Sequence, residues 1–556
     1  MAVTEIDVKL FAKMFLAGAV YLDRNKEEIN ELNVFPVPDG DTGTNMTMTI
    51  MSAAKEVRDL GDAPDMKSLC KAISGGSLRG ARGNSGVILS QLLRGFTKAV
   101  RDEEKITVPL FGEACTRAVE TAYKAVMKPT EGTILTVARG MGEKAAELIA
   151  NGADDFEKIL PEVFSHGKDV LDQTPELLPV LKQAGVVDSG GAGLMKVIEG
   201  ACDLFNGKDI DLTISDDPIA KVDDSRPGKA EENQKDIYHT EIKVNLFKSV
   251  NGKVESDVKS YLSSIGKLVS YKIDGNSVFI DINTDDPGLV LQKALKYGIM
   301  TEVKVTCRFE PSKINADTKA ESVPARKKEA AEPKGEPKEF GFVAVSAGEG
   351  LAEIFRSLGI DYVIEGGQTM NPSTADILDS VEKVNAKTVF VLPNNKNIIM
   401  AANQARDLTT DKDVLVIPTK TIPQGITAAI NFNETSSAEA NEQAMMEALA
   451  TVKTGEITYA VRDTSIDGHD IKKGDYMGIG DKTILSVGTD MNTVIEEMIS
   501  AMVDDTSELI SLYFGSDVEE SDAEKVKEQI SAKFPGLDVD IQNGGQPVYY
   551  YIVSVE

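Results

Sequence analysis

Residues 313–338 place the first limit on what this chain can fold into. They are rich in Lys, Glu, Ala and Pro, as in Pro324-Ala325-Arg326-Lys327-Lys328 and Glu332-Pro333-Lys334-Gly335-Glu336-Pro337, and hold almost no large apolar residue. Such a segment buries too little surface to offset the entropy of ordering it, so no single core runs through it, and it reads as a disordered linker. A second polar stretch, about 209–234, carries Asp216-Asp217-Pro218 and Ser225-Arg226-Pro227-Gly228 and reads the same way. The 556 residues are therefore expected to divide into a unit at 1–205, a linker at 206–235, a small unit at 236–312, the linker at 313–338 and a last unit at 339–556. A flexible tether at 313–338 would let the last unit search for a partner while staying attached.

The periodicity differs between the units. Leu10, Met14, Ala17 and Tyr21, then Leu89, Leu92, Leu93 and Phe96, recur at helical spacing, which predicts an all-α first unit. The middle unit offers strands at 238–247, 277–282 and 303–309, with helices at 254–265 and 288–296, an α+β sandwich. Short β-branched runs at 341–345, 362–364, 388–392 and 414–417, each followed by a helical stretch, predict a parallel α/β sheet. Further strands at 458–462, 475–479, 483–487, 508–514 and 548–555 suggest a second sheeted lobe.

Charge and composition narrow the function classes. With 60 basic against 89 acidic side chains, the net charge of −29 repels nucleic acid and anionic membranes unless a local basic patch intervenes. The apolar run at 10–22 is interrupted by Lys13 and followed by Asp23 and Arg24, so neither a signal peptide nor a membrane span is expected, and a cytoplasmic location is. The four cysteines form no CxxC pair, which fits a reducing compartment. Only His166, His239 and His469 supply imidazole, so chemistry here must lean on carboxylates. His166, in Phe164-Ser165-His166-Gly167, reads as a loop residue, and His469 as part of a hairpin turn.

The most informative stretch is Asn33-Val34-Phe35-Pro36-Val37-Pro38-Asp39-Gly40-Asp41-Thr42-Gly43-Thr44-Asn45-Met46, between two amphipathic helices. Gly40 lets Asp39 and Asp41 turn toward a common centre, the hard-oxygen arrangement that Mg²⁺ takes together with phosphate oxygens. Thr42, Gly43, Thr44 and Asn45 follow at a helix start, where amides and hydroxyls cradle phosphate. By itself Asp-Gly-Asp is more simply a helix-capping turn. It is joined by Gly75-Gly76-Ser77-Leu78-Arg79-Gly80-Ala81-Arg82-Gly83-Asn84-Ser85-Gly86 and by Gly185-Val186-Val187-Asp188-Ser189-Gly190-Gly191-Ala192-Gly193, each opening a helix. Neither fits the Walker or the GxGxxG fingerprint, so the first unit looks like a nucleotide site built without a P-loop.

These residues resemble a known family. Asn33 to Met46, Gly83 to Gly86, Glu131-Gly132-Thr133 and Asp188 to Gly193 resemble the nucleotide-binding domain of bacterial dihydroxyacetone kinase. The longer run from Phe35 to Asn45 is similar to the catalytic subunit of bacterial fatty acid kinase. That likeness continues through Glu365-Gly366-Gly367-Gln368-Thr369-Met370-Asn371-Pro372-Ser373-Thr374, Leu392-Pro393-Asn394-Asn395-Lys396-Asn397, the run from Ile417 to Gly425 and Gly544-Gly545-Gln546-Pro547-Val548-Tyr549-Tyr550-Tyr551, nearly the whole chain.

The resemblance implies a helical barrel at the N-terminus, binding ATP through Mg²⁺, and a C-terminal α/β domain resembling the DegV-like lipid-binding fold that docks a carrier of that fold. It carries metal binding and catalysis to Asp39 and Asp41, with Asn33 at a weaker metal position. Phosphate or nucleotide contacts fall on Thr42, Gly43, Thr44, Asn45, Ser85, Gly86, Gly132, Thr133 and Asp188. The implied reaction is phosphorylation of the carboxylate of a fatty acid, presented by a separate DegV-like fatty-acid-binding protein, to acyl-phosphate and ADP; the implied assembly is a homodimer. A carboxylate acceptor is already ionised at neutral pH, so the scarcity of histidine is no obstacle. A kinase for dihydroxyacetone or a related small polyol, and a non-catalytic nucleotide-sensing scaffold, remain open. Where family members carry a Cys and a His-x-His in the middle unit, this chain has His239 with Asp281 and Asn283, a poor donor set for zinc, so zinc is not expected.

Overall fold

The computed structural model describes residues 2–33, 40–61, 64–126, 128–214, 238–246, 262, 266–274, 277–284, 290–291, 294, 298–307, 337–367, 370–460, 463–466, 469–481 and 483–556. Asp39 and most of both expected linkers lie outside these residues. Residues 1–218 and 333–556 close into one compact unit, and 219–332 form another.

The N-terminal part is helical: α1 (Val8–Arg24), α2 (Lys26–Leu32), α3 (Thr42–Asp59), α4 (Met66–Gly80), α5 (Gly83–Val100), α6 (Val108–Ala125), α7 (Ile134–Ala150), α8 (Phe156–Asp172), the short α9 (Thr174–Leu177) and α10 (Pro179–Ala184), and α11 (Ser189–Phe205). One antiparallel pair, β1 (Glu5–Asp7) with β2 (Lys105–Thr107), ties the starts of α1 and α6 together. Asp7 caps α1 by accepting from Leu10 N at 2.8 Å, and the face of α1 carrying Met14, Ala17, Gly18 and Leu22 turns inward. Glycines set how near the helices come. A Cβ on Gly18 would lie 2.7 Å from Val197 O, and one on Gly200 2.5 Å from Ala17 O, so α1 and α11 cross almost backbone to backbone. Phe11, Phe96, Phe111, Phe156 and Phe205 run in contact through the interior, with neighbouring centroids 5.6 to 6.4 Å apart. An apolar cavity of about 210 Å³ beside them is lined by Phe11, Met14, Phe96, Phe111 and Met141. His166 lies inside α8, not in a loop, because the helix runs unbroken through Gly167, which packs against Met141 and Met195.

The middle unit is a four-stranded antiparallel sheet of β3 (Tyr238–Leu246), β4 (Gly266–Asp274), β5 (Ser277–Thr284) and β6 (Gly298–Cys307), ordered β4-β5-β3-β6. Strand β4 is not among the strands expected from sequence, since Lys267, Ser270 and Lys272 break the apolar signal that strand reading depends on. Ile242, Val244, Val278, Ile280 and Ile282 cover one face together with Leu262, Val290 and Ala294. Phe279, Val303 and Val305 are exposed.

The C-terminal part holds two sheets. Parallel strands β7 (Lys338–Ser346), β8 (Tyr362–Glu365), β9 (Ala386–Leu392) and β10 (Asp413–Val416) form the order β10-β9-β7-β8, with α12 (Glu349–Ser357), α13 (Thr374–Lys383), α14 (Ile399–Leu408), α15 (Ile422–Ile430) and α16 (Ala438–Ala448) between and after them. The second sheet, ordered β15-β14-β11-β18-β16-β17, is antiparallel except for its last pair. It contains β11 (Lys453–Tyr459), β14 (Tyr476–Gly480), β15 (Ile484–Gly488), β16 (Leu509–Phe514), β17 (Asp538–Asn543) and β18 (Tyr551–Val555), with the hairpin β12 (Thr464–Ile466) and β13 (His469–Ile471) beside it and α17 (Met491–Met502) and α18 (Glu520–Lys533) packed on it. His469 opens β13, opposite Ile466.

The two-residue period of a strand sorts the parallel sheet into two cores. Phe342, Ala344, Phe390 and Leu392 face the core shared with the second sheet. Val343, Val345, Val389 and Val391 face α13 and α14, and this second core also takes in Ala81 and Val87 of the helical barrel. Met400 of α14 packs against both the barrel core and this sheet. The last unit therefore does not stand apart as a freely searching lobe. Burying apolar side chains from both parts in one cluster favours the closed arrangement whatever connects them in sequence.

Candidate functional site

The starts of four helices meet at one end of the barrel. Gly40 has φ +49°, and Asp41 precedes α3 without capping it, so its carboxylate is free of the role that an Asp at this position usually takes. Asp41 is 7% exposed. Thr42 Oγ1 accepts from Ser189 Oγ at 3.3 Å, which ties α3 to the start of α11. Asp188 joins α11 to α7: its Oδ2 accepts from Gly191 N at 2.7 Å, and the carboxylate also takes the N–H of Ile134. Gly83 opens α5 at φ +57°, and a Cβ there would lie 2.6 Å from Asn45 Nδ2, so only glycine lets α5 start this close to α3. Four helix N-termini directed to one place make a positive, donor-rich pocket suited to an anion.

Individual residues take distinct parts. Thr44 is gripped by Asn30 of α2, whose Oδ1 accepts from Thr44 N at 3.1 Å while its Nδ2 donates to Thr44 Oγ1 at 3.0 Å. Gly43 has no room for a side chain, since its Cβ would lie 2.1 Å from Lys26 O. Thr49 Oγ1 donates to Asn45 O at 2.7 Å and receives Arg82 N at 3.3 Å, and Gly86 sits against the same hydroxyl. Ser85, half-buried, makes no side-chain hydrogen bond among the described residues. Gly132 has φ +81°, and its N–H donates to Thr136 Oγ1 at 2.9 Å. Thr133 caps α7. Asn33 ends α2, and Asp39 lies outside the described residues.

The electrostatics follow from burial. Desolvation pushes the Asp41 carboxyl above its usual range, against the lowering effect of hydrogen bonds from Asn45 and Asn371. Asp188 is pushed up to about 6 by burial, which outweighs its two N–H bonds. A carboxyl raised from 3.8 holds its proton more tightly in the folded chain. Its contribution to stability is therefore largest in acid and declines as pH rises from about 4 through about 6. Relative to Asp188→Asn, the wild type is expected to lose about 1–3 kcal/mol between pH 4 and pH 7. Urea melts of both proteins at the two pH values measure this, and parallel curves would remove Asp188 as the titrating group.

The structure adds residues that sequence reading leaves without a role. Asn371, between β8 and α13, donates from Nδ2 to Asp41 Oδ2 at 2.5 Å. Arg82 Nη1 donates to Asn371 O at 2.7 Å, and its Nη2 pairs with Asp376 at 3.1 Å. Thr374 N donates to Ala81 O at 3.1 Å, and Asn84 Nδ2 to Asn397 Oδ1 at 3.2 Å. The C-terminal segments 371–376 and 397 thus lie directly on the glycine-rich loop. For Asn371, Thr374 and Asn397 the only sequence signal is membership of the long family motifs, and Asp376 lies just beyond them. Along α4 and α5, Lys67, Lys71, Arg79, Arg94, Lys98 and Arg101 line a groove of about 830 Å³, a basic patch that the net charge conceals.

Residues fitted to hold a divalent cation are present in part. Asp41 is a buried carboxylate, and Asn371, bonded to it, has a buried Oδ1 with no hydrogen-bond partner among the described residues. Such open oxygens suit a hydrated cation and its phosphate ligands. Among the described residues no group of three or more His, Cys, Asp or Glu stands close enough to form a closed metal cage, which is a different kind of site from one that shares Mg²⁺ with phosphates. Among the described residues no helix is long and apolar enough to cross a membrane.

A helical barrel with this site, joined to an α/β region, defines a two-part architecture, and family comparison gives it a class: residues 36–203 match the DAK2 domain, and 341–556 match the FakA-like C-terminal domain of fatty acid kinases. The chain belongs to the FakA-like fatty acid kinase family. Protein YloV of Bacillus subtilis (strain 168) is 43% identical over 563 residues, spanning 100% of both chains. The uncharacterized protein SAR1202 of Staphylococcus aureus (strain MRSA252) is 40% identical over 558 residues, again spanning 100% of each. Among solved structures, a dihydroxyacetone kinase from C. freundii in complex with AMP-PNP and Mg²⁺ is similar over 35% of this chain and 33% of that one, at 17% identity and TM-score 0.28. The Streptococcus pneumoniae fatty acid kinase B3 protein loaded with linoleic acid is similar over 39% of this chain and 99% of that one, at 12% identity and TM-score 0.28.

Proposed function

We propose that this chain is the ATP-dependent component of a fatty acid kinase, transferring the γ-phosphoryl group of ATP to the carboxylate of a fatty acid held by a separate DegV-like fatty-acid-binding protein. The observation that carries the reading is the buried Asp41 at the meeting point of four helix N-termini, in a chain that belongs to this family. An acyl carboxylate oxygen attacks the γ-phosphorus as its bond to the β,γ-bridging oxygen breaks, giving acyl-phosphate and ADP. No proton has to be removed from the acceptor, which accords with a site lacking histidine. Backbone amides at the starts of α3, α5, α7 and α11 would bind phosphate oxygens, Thr42 and Ser85 would add hydroxyl donors, and Asp41 with Asp39 would hold Mg²⁺. Bound there, Mg²⁺ would neutralise charge on the phosphates.

The test is ADP release by the full chain with an acyl-loaded carrier, with free fatty acid, and with dihydroxyacetone. Carrier-dependent release supports the reading; release with dihydroxyacetone alone overturns it in favour of a polyol kinase, and no release in any arm points to a scaffold. A cytoplasmic homodimer completes the proposal.

Zinc has no part in this reading. His239 Nδ1 lies 2.8 Å from Asn283 Oδ1 and 3.4 Å from Asp281 Oδ1, a cluster of two oxygens and one imidazole. Purified protein is expected to carry no stoichiometric zinc, and His239→Ala to leave its metal content unchanged. Tightly bound zinc that disappears with His239 would reverse this.

A further inference from the structure

We propose that Asn371, supplied by the C-terminal region, is a positioning residue of the Mg²⁺–nucleotide site, so that the site is complete only when that region is seated on the barrel. The inference rests on the functional reading above and adds to it a residue 330 positions away from Asp41 in sequence.

The geometry of Asn371 is unlike that of a residue that only joins two surfaces. Its backbone is fixed by Arg82, whose Nη1 donates to its carbonyl at 2.7 Å, and the following turn is held by Thr374 N on Ala81 O at 3.1 Å. Those contacts already secure the interface. The side chain, in a residue only 1% exposed, is spent on Asp41: Nδ2 donates to Asp41 Oδ2 at 2.5 Å. Its Oδ1 is buried and has no hydrogen-bond partner among the described residues. A buried acceptor left unmade costs about 1–3 kcal/mol, and an interface selected for adhesion alone would satisfy or remove it.

Both ends of the amide make sense at a cation site. A carboxylate that binds a metal through one oxygen is oriented by a hydrogen bond to the other, and Asn371 supplies that bond. Asn45 holds Asp41 from the barrel side, so the carboxylate stands between two amides, one from each part of the chain. The open Oδ1 then accepts from a donor that enters with the nucleotide, such as a water on the cation. Gly83 keeps this corner clear, since a Cβ there would lie 2.6 Å from Asn45 Nδ2 and 3.6 Å from Asn371 Nδ2.

The experiment is ADP binding to the full chain by calorimetry, with Mg²⁺ and with EDTA, for the wild type, Asn371→Ala, Asn371→Asp, Asn397→Ala and Asp41→Ala. Asn371→Ala is expected to weaken Mg²⁺-dependent ADP binding about 10–100-fold while binding in EDTA stays as in the wild type. Asn371→Asp should lose more, because it sets a second carboxylate against Asp41. Asn397→Ala removes a contact at the same interface but not at Asp41, and should match the wild type in both conditions. Wild-type Mg²⁺ enhancement in Asn371→Ala overturns the inference alone, as does an equal loss in Asn397→Ala or an equal loss in EDTA. Absence of any Mg²⁺ enhancement in the wild type, or its full retention in Asp41→Ala, overturns the functional reading and this inference together.

Discussion

Asp41→Asn is expected to lower carrier-dependent phosphoryl transfer by about 4 kcal/mol, roughly a thousandfold, while leaving the fold intact. The substitution removes a formal charge from the cation site and keeps side-chain volume. An amide oxygen at position 41 can still accept from Asn371 Nδ2, so the seam between barrel and C-terminal region stays closed. Because burial raises the Asp41 carboxyl, a neutral side chain there is no burden on stability, and the melting temperature should hold or rise. Asp39→Asn should act in the same direction on turnover. The measurement is ADP release at saturating Mg²⁺ and acyl-loaded carrier, next to a thermal melt. Wild-type turnover in Asp41→Asn ends the metal assignment.

Cutting the chain within residues 313–338 is expected to leave two pieces that stay together. A flexible tether alone would predict separation, but Ala81 and Val87 of the barrel are buried among Val343, Val345, Ile377 and Ala401 of the C-terminal part. Arg82 adds a partly buried ion pair with Asp376 across the same surface. Charge pairs of this kind fix register more than they add affinity, so the apolar cluster is the main source of cohesion. After proteolysis at an engineered site, both pieces should co-elute in gel filtration at about 10 μM, a concentration at which a contact worth more than about 8 kcal/mol is populated. Elution as two independent species would show that the linker is what holds the parts in place.

Much of this architecture is readable without coordinates because the signals are local. Helical spacing in 10–21 and 89–96 depends only on which residues share a face three or four positions apart, and both stretches lie in helices, α1 and α5. The β-branched runs near 341, 362, 388 and 414 become the four parallel strands for the same reason. Where the local signal is weak, the reading misses. Strand β4 carries charged and polar residues, and β17, Asp538–Asn543, alternates acidic with apolar on the edge of a sheet, so neither stands out from loop sequence.

The candidate site divides along the same line. A turn of Asp-Gly-Asp followed by small polar residues at a helix start, and two glycine-rich helix starts, are written in short windows, and from them the sequence by itself determined which ligand class to expect and which carboxylates to suspect. Which groups surround those carboxylates was decided by the tertiary structure alone. Asn371 reaches Asp41, Arg82 holds Asn371, and Asn30 grips Thr44 across separations of 330, 289 and 14 residues. Asp188 turns out to tie two helix starts together, and six cations gather along α4 and α5 in a chain whose net charge is −29. Periodicity reports which residues of one element face inward; it holds no record of which element they will meet, because that choice is made by burying apolar faces from distant parts of the chain together.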